Sequence, residues 1–290
     1  MLQQQAEMNN RPRKKFVTKR KILLFTMVTA VLLIIVKVYL DTNTFKVNKL
    51  QFYSNKIPID KAVHILQITD VHNKVFGENN EALIQTVKDL NPDMIVLTGD
   101  LIDRKTTEFH PMFTLVEELT SLQEQVFFVT GNHEWENPNK EGFLQGLKAR
   151  GVKMLNNENS ELTINQVKLN LVGIDDSSTN HDNVTQAFAG LNNDRYTILL
   201  SHSPTIVEKE RNLAADLILS GHTHGGQVRL PLLGALVSPD EGLFPTYDKG
   251  TYSMHSKQFL YIDSGLGTSV APIRFLNQSQ MSMIRVSYGK

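Results

Sequence analysis

The chain has 290 residues, 41% of them apolar, enough to build one large domain or two small ones. Basic and acidic residues balance at 30 each, yet residues 1–40 hold Arg11, Arg13, Lys14, Lys15, Lys19, Arg20, Lys21 and Lys37 against Glu7 alone, so residues 41–290 carry a net charge of −7. An acidic body lacks the clustered Lys and Arg that nucleic-acid binding uses, and the absence of cysteine excludes disulfides, thiolate nucleophiles and Cys-ligated zinc.

Residues 1–21 read as a basic cytoplasmic tail, and residues 22–40, "ILLFTMVTAVLLIIVKVYL", as a transmembrane anchor. The run is apolar on every side apart from two threonines and Lys37, whose stem can snorkel to the headgroups, and its length suits a bilayer. A cleaved signal peptide is the alternative. No A-x-A site follows the run, however, and a lipoprotein site would need a cysteine. Seven positive charges before the span predict a cytoplasmic N-terminus and a body outside the cell membrane.

Residues 41–60 read as a connector leading into a first strand, and residues 61–290 as one domain, because no repeat, low-complexity tract or Pro/Gly linker divides them. "HILQIT", "MIVLT", "VFFVT", "VKLNLVGI", "YTILL", "DLILS", "FLYID" and "MSMIRVS" predict strands. "NEALIQTVKDL", "TEFHPMFTLVEELTSL" and "KEGFLQGLKA" space their apolar residues as helices do. Near-continuous apolar strands alternating with such helices predict an α/β sandwich whose strands are buried on both faces.

Polar residues collect where these strands end. "HILQIT" runs into Asp70 and His72, "MIVLT" into Asp100, "VFFVT" into Asn132, His133 and Glu134, "YTILL" into His202, and "DLILS" into His222 and His224. In open α/β sheets, sites form beyond the carboxyl ends of strands. One such group is an ordinary turn; five together predict a site, with His64, His110, His181 and His255 outside it. In "GHTHGGQ" an extended backbone would send His222 and His224 to one side, converging on a point, with Gly221, Gly225 and Gly226 permitting the turn. Carboxylate, imidazole and amide donors without thiolate suit Mn²⁺, Fe, Zn²⁺ or Co²⁺, and seven donors with one shared carboxylate suit two ions rather than one.

The ordered blocks "DVH", "GDLID", "GNHE", "SH" and "GHTH" resemble the signature of the calcineurin-like metallophosphoesterases. The resemblance spans roughly residues 60–290, and "GHTHGGQVRLPLLG" and "SGLGTSVAPIRF" are similar to a membrane-associated bacterial branch that includes YkuE-like enzymes and UDP-2,3-diacylglucosamine hydrolases. It implies a four-layer α-β-β-α sandwich with two divalent metal ions, Mn²⁺ foremost. Carried over by position, Asp70, His72 and His224 hold one ion, Asn132, His202 and His222 the other, and Asp100 bridges. His133 becomes the catalytic histidine that is not a ligand, oriented by Asp103, for which a helix cap before "RKTTEFH" is the alternative. Glu134 would support the ligands from behind; Arg104 reads first as a solvated surface arginine, with contact to a phosphate oxygen as the alternative, and Asp175 and Asp176 as rim or turn residues.

The expected function is hydrolysis of phosphate esters by a metal-bridging hydroxide, at the membrane, with no nucleic-acid partner. The alternatives are a UDP-2,3-diacylglucosamine-type pyrophosphate hydrolase of lipid metabolism, a silent metal-binding scaffold, and a nuclease. "LPLLGALV", just after the His222/His224 turn, offers an acyl chain a surface, with a buried strand pair as the bland reading.

Overall fold

The computed structural model describes residues 13–239, 242–254, 257–269 and 271–289, with side chains from residue 18 onward. The first twelve residues of the basic tail, and His255, lie outside the described residues. Helix α1 (Arg13–Asn43) contains a stretch, Thr18–Asn43, long and apolar enough to cross a membrane, and none of its most apolar window is buried against the rest of the chain. Its last carbonyls are not left bare. Asn43 Nδ2 donates to Tyr39 O at 3.0 Å, and Thr44 donates to Leu40 O through both its amide (2.9 Å) and its hydroxyl (2.8 Å).

One residue after the helix ends, β1 (Phe45–Tyr53) begins, and it pairs in parallel along its full length with β16 (Ser279–Ser287), the last strand. Within the segment 41–60, the expected first strand is thus an edge strand of the first sheet.

That sheet continues from β16 through β2 (Ala62–Ile68), β3 (Met94–Thr98), β4 (Val126–Val129) and the short β5 (Lys153–Met154). The second sheet runs β14 (Gly250–Ser253), β15 (Phe259–Ile262), β9 (Leu217–Ser220), β8 (Tyr196–Leu200), β7 (Val167–Gly173) and β6 (Glu158–Ile164). The central strands β2–β5 are parallel to one another, as are β7, β8, β9 and β15.

The alternation of side chains explains why these strands read as unbroken apolar runs. Ile65, Val96, Phe127, Leu171, Ile198 and Leu219 face the space between the sheets. Their neighbours Leu66, Ile95 and Phe128 face outward, onto α2 (Glu81–Leu90), α3 (His110–Leu122) and α5 (Lys140–Ala149). Val172, Leu199 and Ile218 face outward on the other sheet, against Ala187 of α6 (Val184–Ala187) and Ile206 of α7 (Ile206–Lys209). Both faces of each central strand are thus dry, and the layers run α-β-β-α as expected, with the second helical layer reduced to single turns. Gln67, buried between the sheets, joins them by donating to Thr98 Oγ1 and to Ser220 O, both at 3.0 Å.

Between β9 and β14 the chain leaves the sandwich. Two small hairpins form there, β10 (Arg229–Leu230) with β11 (Gly234–Ala235), and β12 (Val237–Ser238) with β13 (Gly242–Leu243). "LPLLGALV" is therefore a projecting hairpin and not a buried strand pair.

Candidate metal centre

The carboxyl ends of β2, β3, β4, β8 and β9 meet where the two sheets adjoin, and every residue singled out at those ends is buried. Asp70 Oδ1 lies 3.5 Å from His224 Nε2 and 4.0 Å from His72 Nε2, and those two imidazole nitrogens are 3.1 Å apart. Beside this trio is a second. Asn132 Oδ1, His202 Nε2 and His222 Nδ1 lie 3.1 to 3.3 Å from one another. Asp100 Oδ2 stands between them, 3.6 Å from His72 Nε2 and 3.2 Å from His202 Nε2. Ligand atoms of Asp70, His72 and His224, and of Asp100, His202 and His222, fall close enough together for each set to hold a metal ion.

The tautomers of two histidines are set from behind. His202 Nδ1 is 2.8 Å from the Thr98 main-chain oxygen, which can only accept, so Nε2 turns its lone pair to the site. His72 Nδ1 meets Asp103 Oδ1 at 2.8 Å with the same result. His224 Nδ1 is a buried atom with no partner among the described residues, while burial, His72 and Arg274 hold its pKa well below the usual range. A neutral imidazole aimed at another imidazole and a carboxylate fits a cation between them. Burial opposes ionisation of Asp100, but His202 and His72 outweigh it and hold the carboxyl well below its ordinary range. For His72 and His202, burial is likewise outweighed by the surrounding carboxylates, and both pKa values are raised.

The backbone is bent to achieve this. Asp70, His72, Asp100, His222 and His224, five of the seven candidate ligands, have φ between 48° and 69°, in the left-handed region. That conformation costs a non-glycine residue on the order of 1 kcal/mol or more. It also overturns the extended reading of "GHTH". His222 and His224 do not converge: His222 points to Asn132 and His202, while His224, opening a short 3₁₀ turn, points to Asp70 and His72. The motif glycines have a steric reason. A Cβ on Gly221 would overlap Thr69 Oγ1 and Asp70 Oδ2, and one on Gly99 would lie 2.6 Å from His202 Nδ1.

His133 sits on α4 (Asn132–Glu136), one turn long, whose ring meets that of His72 edge-on at 4.6 Å. Asp103 Oδ1 is 3.2 Å from His133 Nδ1, so this carboxylate contacts His133 and His72 together. The cap alternative fails, since α3 begins at His110 with Phe109 before it. Arg104 is exposed, as expected of a solvated arginine, but it is also paired: Nη2 is 3.0 Å from His133 Nε2 and Nη1 is 3.0 Å from Glu136 Oε2. Glu134 accepts from the main-chain amides of Asp100, Gly131, Leu101 and Ile102 at 2.7 to 3.3 Å, clamping the β3 and β4 loops. Burial and then Asp100 push its carboxyl up to about 7. Asp176 closes a turn, accepting from Thr179 N at 2.8 Å and Ser178 Oγ at 2.6 Å, whereas buried Asp175 binds Thr130 and Asn156; neither lines the cleft.

Two residues that sequence reasoning did not single out support the site. Arg274, fully buried, donates to Ser264 O and Gly267 O, and burial brings its pKa down to about 10. Asn277 Nδ2 donates to His224 O at 2.6 Å. An arginine inside "APIRF" was the available signal, because a charge amid apolar residues needs partners to be buried.

The centre opens into a cleft of about 600 Å³. It is lined by the polar Asp100, Arg104, Asn132, His133, His222 and His224 and by the apolar Val228, Leu236, Val237, Pro239 and Ala271, with Gln227, Ser238 and Ser269 near the latter in the chain.

Comparison with known proteins agrees with this geometry. The family described as "Calcineurin-like phosphoesterase" matches residues 63–226. A Bacillus subtilis protein named "Uncharacterized metallophosphoesterase YkoQ" is 30% identical over 254 residues, covering 85% of this chain and 92% of its own. A second from the same organism, "Uncharacterized metallophosphoesterase YkuE", is 28% identical over 251 residues, 84% of this chain and 86% of its own. The Danio rerio "Transmembrane protein with metallophosphoesterase domain" is 26% identical over 252 residues, 79% of this chain and 55% of its own.

Proposed function

The chain belongs to the calcineurin-like phosphoesterase family and is a metal-dependent phosphoric ester hydrolase, and on that premise we propose that it is a membrane-anchored enzyme acting on extracytoplasmic phosphoesters, with preference for amphiphilic ones. Asp70, His72 and His224 would hold one cation, Asn132, His202 and His222 the other, and Asp100 both. Two divalent ions bound there supply a nucleophile from water at neutral pH and offset the charge that develops on the phosphoryl group. The donor set suits Mn²⁺ first, then Fe, Zn²⁺ or Co²⁺.

The remaining work falls to the chain. Asp103 accepts from His133 Nδ1 and so favours the imidazolium, whose Nε2–H, once Arg104 turns from it to the phosphate, would protonate, or steady the charge on, the departing alkoxide. Arg104, already beside that nitrogen, offers its guanidinium to a phosphate oxygen. Glu134 holds the loops that carry Asp100 and Asn132 in place. The apolar lining supports the preference for amphiphiles, because a headgroup at the ligands leaves an attached chain against Leu236 and Val237. The α1 stretch and the transmembrane relative support the membrane assignment, and the basic flank supports a cytoplasmic N-terminus.

The observation that carries the reading is the place of Asp100 Oδ2 between one imidazole of each trio. Turnover of p-nitrophenyl phosphate and bis-p-nitrophenyl phosphate by the full chain, stripped of metal and then given each ion in turn, tests it. Hydrolysis restored by two ions per chain is expected. Undiminished activity in the stripped protein would refute the metal-dependent mechanism.

A further inference from the structure

Outside α1, exposed large apolar side chains are not scattered evenly over the described residues. Eight of thirteen fall within residues 230–244 and 273–276. Leu232 is wholly exposed, Leu233, Leu243 and Phe244 are 61%, 72% and 63% exposed, and all four belong to the two hairpins or adjoin them. Residues 228–247 contain three charged residues: Arg229, which is paired with Asp248 at 2.6 Å, and Asp240 and Glu241, which fall between β12 and β13 in the sequence. Between Arg229 and Asp240 no residue is charged, and an uncharged apolar projection such as the first hairpin marks an interaction surface.

Its position says what covers it. Arg274 N donates to Thr42 Oγ1 at 2.8 Å and Asn277 N to Asp41 Oδ2 at 3.3 Å, so the 273–277 segment is fastened to the last turns of α1. Phe275 in turn exchanges main-chain hydrogen bonds with the foot of the first hairpin, Arg229 N to Phe275 O at 3.0 Å and Phe275 N to Gln227 O at 3.1 Å. From Arg229 to Leu232 is three residues, roughly 10 Å of extended chain. The first hairpin therefore stands within about that reach of the segment that holds the last turn of α1. Exposed Lys46, and Lys74 donating to Asn43 Oδ1 at 3.0 Å, put positive charge at the same level, where anionic headgroups lie.

We propose that the hairpins are a second membrane contact. Leu232, Leu233, Leu243 and Phe244 enter the leaflet from which α1 emerges, and the apolar lining behind them, Leu236 and Val237, lets the cleft take the phosphate headgroup of a lipid that stays in the bilayer. Insertion of apolar side chains to the depth of the acyl boundary is favourable in proportion to the area buried, and basic residues at headgroup level add to it. The substrate class rests on the phosphoesterase reading; the contact itself does not.

The experiment uses the full chain reconstituted in vesicles of phosphatidylcholine and phosphatidylglycerol. Because the protein has no cysteine, Leu232→Cys, Phe244→Cys and, as a control on the far end of α3, Leu122→Cys each accept a single environment-sensitive fluorophore. The labels at 232 and 244 are expected to be quenched by nitroxide-bearing lipids and shielded from aqueous iodide, and the label at 122 to show the reverse. Equal iodide access at all three positions overturns the proposal, and so does shielding without lipid quenching, which would mean a second copy or another protein covers the lip. Separately, Leu232→Ser with Leu233→Ser and Phe244→Ser should lower kcat/KM on a vesicle-borne lipid phosphate about tenfold or more and leave p-nitrophenyl phosphate turnover unchanged. Equal effects on both substrates overturn delivery from the bilayer. If neither substrate is hydrolysed, the phosphoesterase reading fails while the quenching result still decides the contact.

Discussion

Asn277 donates its side-chain amide to the main-chain oxygen of His224 at 2.6 Å, fixing the turn from which that imidazole reaches the centre. Polar partners of this kind orient a ligand rather than bind the metal, and their loss typically weakens binding 10–100-fold. Asn277→Ala should therefore lower affinity for the ion at Asp70, His72 and His224 by about that factor while the ion at Asn132, His202 and His222 is retained. Stepwise metal titration would show two unequal affinities in the variant; equal loss at both would contradict a local effect.

Asp100→Asn should act on both. The carboxylate stands between the two trios, so removal of its charge is felt twice. Expected are loss of activity and weakened retention of both ions, checked by elemental analysis after dialysis. Two firmly held ions in that variant would mean Asp100 does not bridge.

His133→Ala and Asp103→Asn should part company. His133 has its Nε2 on the cleft, and its loss should lower kcat by on the order of 10²–10⁴ with metal content near that of the unaltered protein. Asp103 touches both His133 and His72, with burial opposing its charge but the hydrogen bonds from the two histidines lowering its pKa nonetheless. Asp103→Asn should then reduce both kcat and metal affinity. A variant with normal metal binding would leave Asp103 serving His133 alone.

Asp263, whose carboxyl also feels that of Asp70, gives a stability prediction. It is fully buried, accepts from Gly265 N at 2.8 Å, and burial before all else pushes its carboxyl up to about 6. A carboxyl raised on folding stabilises the fold while protonated, below its unfolded pKa near 4, and that contribution is lost as pH climbs through 6. Relative to Asp263→Asn, the unaltered chain should lose on the order of 2–3 kcal/mol between pH 4 and pH 8. Thermal melting across that range checks it: the Tm of the variant minus that of the unaltered chain should rise with pH. A difference that stays flat would mean ionisation of Asp263 carries no penalty.

The central strands and the three longer helices were legible because each buries a continuous or 3.6-periodic apolar set, and the ligands were legible because they follow those strands. β6 was not, since "ENSELTI" alternates polar residues along an edge, and its turn to β7 uses Asn165 and Gln166, both at positive φ without a glycine. α4 is too short to show a period, and the hairpins are built from two-residue strands. Side-chain direction at the site was the part beyond reach. His222 and His224 separate because their backbones are left-handed, which spacing alone does not reveal. Asp263, one residue past β15, instead accepts from Ser282 and Gly265.

Only Thr44 lies between the end of α1 and the start of β1, and β1 is hydrogen-bonded into the sheet along its whole length. There is no leash. If α1 anchors the chain as proposed, a catalytic head so mounted would not sample the volume that a flexible stalk sweeps; it would stay at one height over the lipid surface and meet its targets by lateral diffusion, in two dimensions. The same mounting would resist shedding, since a protease seeking an extended stretch after α1 would find a helix on one side and a paired strand on the other.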